Sequence, residues 1–373
     1  MARIRVVLDD VHFSGMHYFD WLATGLWALE DQGEIEADVR VTATTSLFRQ
    51  NSKLITAGRR LVPNLMRSLE RGWHTIITGK VTDGSRSTSF VMDAGDSPYA
   101  FDTSLLVGSD LYFKAQLPTT LDPAGFPIAE GARFPYHPDV LTFQDRIRPA
   151  MLGRPLSRRL HRRDNAKILA GWERRAQAPK DNALLAYFGT DSDVFGGPEA
   201  EVMTRFAGRV AHPNVKRGQL VDLLQTRLPG QSDARVLNSK IASRVRPSLS
   251  DATFNDLVGR SWHNINVSGF RRSAPFRFID AFLVGASVPT DEMAVRWYAP
   301  WQEGVEIIEL GKMGYELDAA VNWAPIGAVL EGLAAESEAT RRERQRAVLD
   351  AYRRQWQPSA FARYLVRTCT ERW

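Results

Sequence analysis

Two short apolar runs constrain this chain most: residues 4–8, with Ile4, Val6, Val7 and Leu8 around the single Arg5, and residues 183–188, with Leu184, Leu185, Tyr187 and Phe188. Each is strand-length and reads as a strand buried on both faces of a parallel sheet. Each ends in polar or small residues and is followed by helix-forming sequence. After the first run the periodicity predicts a helix over 16–31, with Phe19, Leu22, Leu26 and Leu29 inward and Gly33 as its stop. Strands at 37–43, 73–78, 89–92, 105–107 and 110–113 follow, with helical segments through 47–70. After the second run, helices at 199–207 and 218–224 and strands at 235–237 and 305–310 complete another series. Two such β/α series define an α/β fold in which helices cover both faces of parallel sheets.

At 373 residues the chain is long enough for two domains. A hydrophobic share of 44% against 24% charged excludes extended disorder. Boundaries fall into a first Rossmann-like domain over 1–150, a basic helical linker over 151–180, a second Rossmann-like domain over 181–345, and C-terminal helices over 346–373. Residues 118–138, rich in proline, glycine and aromatics, read as a long loop. No stretch of about 18 apolar residues could span a bilayer. The lone cysteine, Cys369, excludes an internal disulfide and a cysteine zinc site. The opening residues read as a strand and not a secretory signal. The expected compartment is the cytoplasm, with room for peripheral contact at the inner face of an anionic membrane.

A net charge of +5 favours anionic partners. Its densest run is 154–163, a helical connection facing either the cleft, a membrane surface or solvent. Nucleic acid is a minor alternative, because that run lacks the interleaved aromatics of single-strand binders.

Ligands of parallel α/β sheets bind beyond the carboxyl ends of the strands. There the first strand delivers Asp9, Asp10 and His12, and a later one delivers Asp93 and Asp96. Each could be a general base or a cap for the following turn. Gly189 closes the 183–188 run in a turn suited to phosphate, and Lys240 and Lys114 follow other strands as phosphate ligands or ordinary surface lysines. Residues 264–291 combine a strand, Gly269, the basic pair Arg271 and Arg272, and a helix with Pro275 in its first turn and Gly285 at its end. That geometry presents amide groups and a helix dipole to an anion. Arg277 and Asp280 share one helical face. They suit a diphosphate and a ribose hydroxyl, or equally a local ion pair.

The residues from Phe254 to Leu257, from Ser261 to Gly269, and then Phe276, Arg277, Phe278, Ile279, Asp280, Ala281, Phe282 and Gly285 resemble the donor-binding half of exostosin-like glycosyltransferases. Asp110, Leu111, Tyr112, Phe113 and Lys114 are similar to an Asp-x-Tyr-Phe-Lys segment of bacterial members. The chain departs from the family pattern at Ser268, where a turn proline is usual, and at Pro289, one place late. The resemblance implies a GT-B enzyme: two Rossmann-like domains facing a cleft, with a final helix returning to the first domain. It implies a nucleotide-diphosphate sugar as donor, held by Arg277, Asp280, Gly269, Arg271, Arg272, Lys240 and Gly189. It implies a glycan or glycolipid acceptor, in cell-surface polysaccharide synthesis, deprotonated by Asp96 or Asp93 ahead of His12. No cofactor and no metal are expected. The competing readings are a non-catalytic sugar- or nucleotide-binding protein on the same scaffold, and a nucleic-acid-binding protein using 154–163.

Overall fold

The computed structural model describes residues 3–11, 16–41, 75–129, 132–156, 162–189, 213–237, 250–268, 271–313 and 320–373. The helical readings at 47–70 and 199–207, and the candidates His12, Lys240 and Gly269, lie outside these residues.

The first unit contains β1 (Ile4–Val11), α1 (Met16–Asp31), β2 (Ile35–Val41), β3 (Ile76–Thr82), β4 (Ser87–Asp93), α2 (Thr103–Gly108), β5 (Leu111–Lys114), β6 (Leu117–Pro118), β7 (Phe126–Ala129), β8 (Ala132–Phe134), α3 (Pro138–Thr142) and β9 (Ile147–Pro149). Its six-stranded sheet has the order β2-β1-β3-β4-β5-β9. The β1–β2, β4–β5 and β5–β9 pairs are parallel, while β3 runs antiparallel to both β1 and β4. The sheet is therefore mixed where the alternation predicted a parallel one. The cause is a hairpin at Asp83 and Gly84: Gly84 has φ +92°, and Asp83 accepts from the amides of Ser85 and Arg86 at 2.9 and 2.7 Å.

Two further expectations change. Leu105 to Val107 lies in α2 and not in a strand, because Asp102 caps it by accepting from Leu105 N at 3.1 Å. Residues 118–138 contain the β7–β8 hairpin and not a bare loop. β1 also alternates: Val6 and Leu8 are buried, while Arg5 reaches Asp38 on β2 at 2.9 Å.

The second unit runs from α4 (Arg162–Ala176) through β10 (Asn182–Gly189), α5 (Pro213–Arg227), β11 (Ser232–Leu237), α6 (Asp251–Gly259), β12 (Ser261–Asn264), α7 (Arg277–Leu283), β13 (Val288–Thr290), β14 (Val295–Arg296) and β15 (Ile307–Glu309) to α8 (Trp323–Ala334). β10 pairs in parallel with β11 and β12, and β13 with β15. Isolated parallel bridges His263–Ser287 and Asn266–Thr290 join the two sets. Here the parallel expectation holds, and Leu184 through Phe188 are buried on both faces.

The chain closes with α9 (Glu338–Ala351), a π-helical turn (Tyr352–Trp356) and α10 (Pro358–Thr370), which returns to the first unit. Trp21 Nε1 donates to Trp356 O at 3.0 Å, and Thr88 Oγ1 to Cys369 O at 2.9 Å. One apolar cluster includes Leu8, Trp21 and Phe113 of the first unit, Leu185, Phe278 and Val288 of the second, and Trp356, Phe361 and Leu365 of the closing segment. The fold is thus an α/β fold of two β/α units with a final helix crossing back to the first. No helix among the described residues is long and apolar enough to cross a membrane.

α1 and α10 meet at Gly25, where an added Cβ would lie 2.0 Å from the carbonyl oxygen of Pro358. Gly25→Val should therefore lower stability in urea unfolding by about 1–3 kcal/mol, the usual cost of overpacking. An unchanged midpoint would contradict this close approach of helix to backbone.

Candidate donor cleft between the two units

The carboxyl ends of β4 and β5 carry a buried polar cluster. Asp93 Oδ2 accepts from Lys114 Nζ at 2.6 Å and from the Tyr112 hydroxyl at 2.7 Å, and Asp93 Oδ1 accepts from Gly95 N at 2.7 Å. Asp93 is 3% and Lys114 1% exposed. Burial first, and then the Asp93 charge, push the Tyr112 phenol far up, so it stays a donor. Asp93 as the attacking base is thus corrected: both of its oxygens are committed to Lys114, Tyr112 and Gly95. Its role in the structure is to hold the turn that carries Asp96. Lys114 is likewise committed inward.

Asp96 differs. It stays exposed to solvent while protein atoms crowd around it. Burial raises its carboxyl pKa; Arg271 is the largest opposing charge, followed by Lys114, and Asp93 adds to the rise. The exposed face moderates the rise. Arg271 belongs to the second unit, so the fold brings a guanidinium from one half within electrostatic range of a carboxyl group from the other.

What holds that loop in place is a cross-unit seam. Gln116, fully buried, donates from Nε2 to Ala274 O at 2.8 Å and accepts from Ala274 N at 3.0 Å. β6 pairs antiparallel with β14, and Thr119 N donates to Ala294 O at 3.0 Å. Arg272 sits between these anchors at φ 47°, an uncommon conformation for a non-glycine residue, with its guanidinium 2.8 Å from Glu292.

Beside Arg272 lies a basic group that sequence reading missed. α5 begins with Pro213 at its first position, and Lys216 and Arg217 of its first turn are 1% and 9% exposed. Arg217 Nη2 donates to Val267 O at 3.3 Å. Asp291 anchors the neighbouring strand end, accepting from Ser268 N and Ser268 Oγ, each at 2.8 Å. Burial lowers the Lys216 pKa to about 8; Asp291 opposes the fall, and Arg272 and Arg217 deepen it. A helix start, Lys216, Arg217 and Arg272 thus gather where β12 and β13 end, the carboxyl edge of a parallel sheet. Gly189 closes β10 at the same edge. The signal for α5 was Pro213; the sequence reading started the helix at Gly218 and left both basic residues outside it.

The Arg277/Asp280 helix is corrected most. α7 has only seven residues, and its Phe278, Ile279 and Asp280 amides bond to the carbonyls of Pro275 and Phe276. All of Phe278 to Leu283 is buried. Asp280 is ion-paired with Arg154 from the segment preceding α4. Full burial raises the Asp280 pKa, against Arg154 and then Arg277. It is a core ion pair, not a ribose contact. Arg277 Nη1 donates to Tyr187 O at 3.2 Å and lines a recess of about 20 Å³, room for about one water and not a diphosphate.

The solved structures similar to this chain include Anabaena Alr3699/HepE in complex with UDP and glucose, at 11% identity and TM-score 0.42, covering 98% of each chain. The same protein in complex with UDP-glucose matches at 11% identity and TM-score 0.43, covering 99% of this chain and 100% of that one. At these values the likeness carries no argument. No family model matches, and no curated sequence matches. The exostosin-like resemblance therefore rests on the residues quoted for it.

Lys114→Met leaves Asp93 buried without its cation and should cost about 3–5 kcal/mol in urea unfolding. Asp93→Asn combined with Lys114→Met should recover most of that loss. Equal stability of the single and double variants would contradict the pairing.

Proposed function

We propose that the protein is a glycosyltransferase that moves a sugar from a nucleotide-diphosphate donor to a hydroxyl of a glycan or glycolipid, as the exostosin-like resemblance implies. The observation that supports the reading is the cross-unit seam of Gln116 on Ala274, which sets the Arg271–Arg272 loop of the second unit within electrostatic range of Asp96 of the first.

In this reading Lys216, Arg217, Arg271 and Arg272 take the diphosphate, with the start of α5 adding its dipole. Arg277 and Asp280 support the loop from behind and leave the donor list, and Gly189 stays on it as backbone near the phosphates. Asp96 accepts the proton of the acceptor hydroxyl as that oxygen attacks the anomeric carbon. Its raised pKa brings the conjugate base nearer the strength this step needs. The C–O bond to the diphosphate breaks as the new one forms, and the cations stabilise the charge growing on the leaving group. This accounts for the chemistry without a metal or cofactor. Cell-surface polysaccharide or glycolipid synthesis remains the setting that the resemblance implies.

Asp96→Asn should abolish sugar transfer while UDP still raises the melting temperature. Arg271→Ala should weaken UDP binding about tenfold or more, the weight of a charge-assisted hydrogen bond. A non-catalytic binding protein would show the second effect with no transfer in the wild type. Failure of UDP, GDP, CMP and TDP alike to shift the melt would contradict the reading.

Lys216 adds a pH dependence. Its folded pKa, about 8, lies below the unfolded value of 10.5, so the unfolded chain binds more protons in that window. Folding stability therefore rises with pH from about 8 to about 10.5. Diphosphate affinity runs the other way, falling by up to about tenfold per pH unit once the ammonium is lost. Lys216→Met should flatten that fall in a titration against UDP; an unaltered profile would remove Lys216 from the site.

A further inference from the structure

At the opposite, amino end of the first sheet lies a groove of about 830 Å³ that shares no residue with the donor cleft. Ile4, Leu29, Glu34 and Ile35 form one wall, Tyr298 and Ala299 come from the second unit, and the π-helical turn and α10 complete it. Its size falls within the roughly 300–1,000 Å³ of ordinary ligand sites.

The groove has an apolar floor and a cationic rim. Tyr298 and Tyr364 stack at 4.5 Å and 18°, giving a flat aromatic surface beside Ile4 and Val366. Above it stand Arg353 and Arg354 of the π-helical turn and Arg363 and Arg367, one turn apart on α10. A π-turn inside a helical segment frequently marks a functional site.

The one acidic residue lining the groove, Glu34, is taken by Arg363 at 2.7 and 3.0 Å, with Gln32 accepting from the same guanidinium at 2.5 Å. The other arginines are held loosely. Arg353 lies 3.3 Å from Asp350 and Arg367 3.7 Å from Glu371, both exposed pairs that contribute little. Residues 338–373 hold nine arginines and four acidic residues, an excess equal to the chain's whole formal charge of +5.

Two residues of the lining also carry buried polar atoms: the Tyr298 hydroxyl and Gln355 Oε1 have no hydrogen-bond partner among the described residues, although buried polar atoms are ordinarily partnered.

We propose that this groove binds a phosphate-bearing amphiphile, its phosphate against Arg353, Arg354 and Arg367 and its apolar part on the Tyr298 and Tyr364 floor. Arginine suits the phosphate by bidentate geometry. The aromatic floor suits an acyl or isoprenoid chain better than a bare anion, because a small anion would leave it uncovered. The site stands on the groove alone and does not depend on the donor reading.

The test uses the full-length protein with three probes: glycerol 3-phosphate, monomeric dihexanoyl phosphatidylglycerol, and phosphatidylcholine vesicles with and without phosphatidylglycerol. Binding is followed by tryptophan fluorescence and by co-sedimentation. Dihexanoyl phosphatidylglycerol should bind at least about tenfold more tightly than glycerol 3-phosphate, since only it covers the floor. Arg353→Ala, Arg354→Ala and Arg367→Ala combined should weaken it about a hundredfold, with an unchanged melt because all three are exposed. Arg271→Ala should leave it unaltered, which separates this site from the donor cleft. Co-sedimentation only with the anionic vesicles would identify a bilayer lipid as the source; binding confined to the monomer would identify a soluble ester. No binding of either, equal binding by the triple variant, or equally tight binding of a polyglutamate peptide would overturn the proposal.

Discussion

The arrangement depends on a single buried amide. Gln116 stands on the chain just after β5, and its side chain exchanges two hydrogen bonds with the backbone of Ala274, 158 positions away. An unpaired primary amide in that position would carry a desolvation penalty of a few kcal/mol, so the two segments hold each other in register. With β6 on β14, the seam fixes where Arg271 and Arg272 can point. Without it, the basic loop of one unit and the Asp96 turn of the other would have no common frame.

Charge burial then divides the acidic residues into two kinds. Asp93 and Asp280 are each enclosed with one dedicated cation, Lys114 and Arg154, and such pairs organise backbone more than they add stability. Asp96 is instead exposed, with Arg271 and Lys114 within electrostatic range and no cation ion-paired with it among the described residues. The enclosed pairs hold the turns and helices still; in the proposed reaction the exposed carboxyl group is the one that takes the proton. Among the cations, Arg154 is ion-paired with Asp280, and Arg271 lies within electrostatic range of the other unit's Asp96.

Much of this was legible in the sequence. The 183–188 run reads correctly as a strand buried on both faces, and the C-terminal helices return to the first unit as their amphipathic pattern allows. Asp96 and Arg271, both singled out in the sequence, lie within electrostatic range of each other although 175 positions separate them. Other features escaped because their causes are not local. Asp280 and Arg277 fit a ligand-binding spacing equally well as a core ion pair, and the deciding partner, Arg154, lies 126 positions upstream. Lys216 and Arg217 were missed by placing a helix start five residues late, despite Pro213. The antiparallel β3 was signalled by the Asp83-Gly84 dipeptide, which hydrophobic periodicity alone does not weigh.

The central claim is that the carboxyl edge of the second sheet, closed over by the 271–272 loop, receives a diphosphate within reach of Asp96. A crystal structure of the protein with UDP bound tests this most directly. The account predicts phosphate oxygens within hydrogen-bond distance of Lys216 and Arg271, with the distal phosphate directed toward Asp96. A diphosphate resting on the Arg277 helix, or outside the cleft between the units, would contradict it.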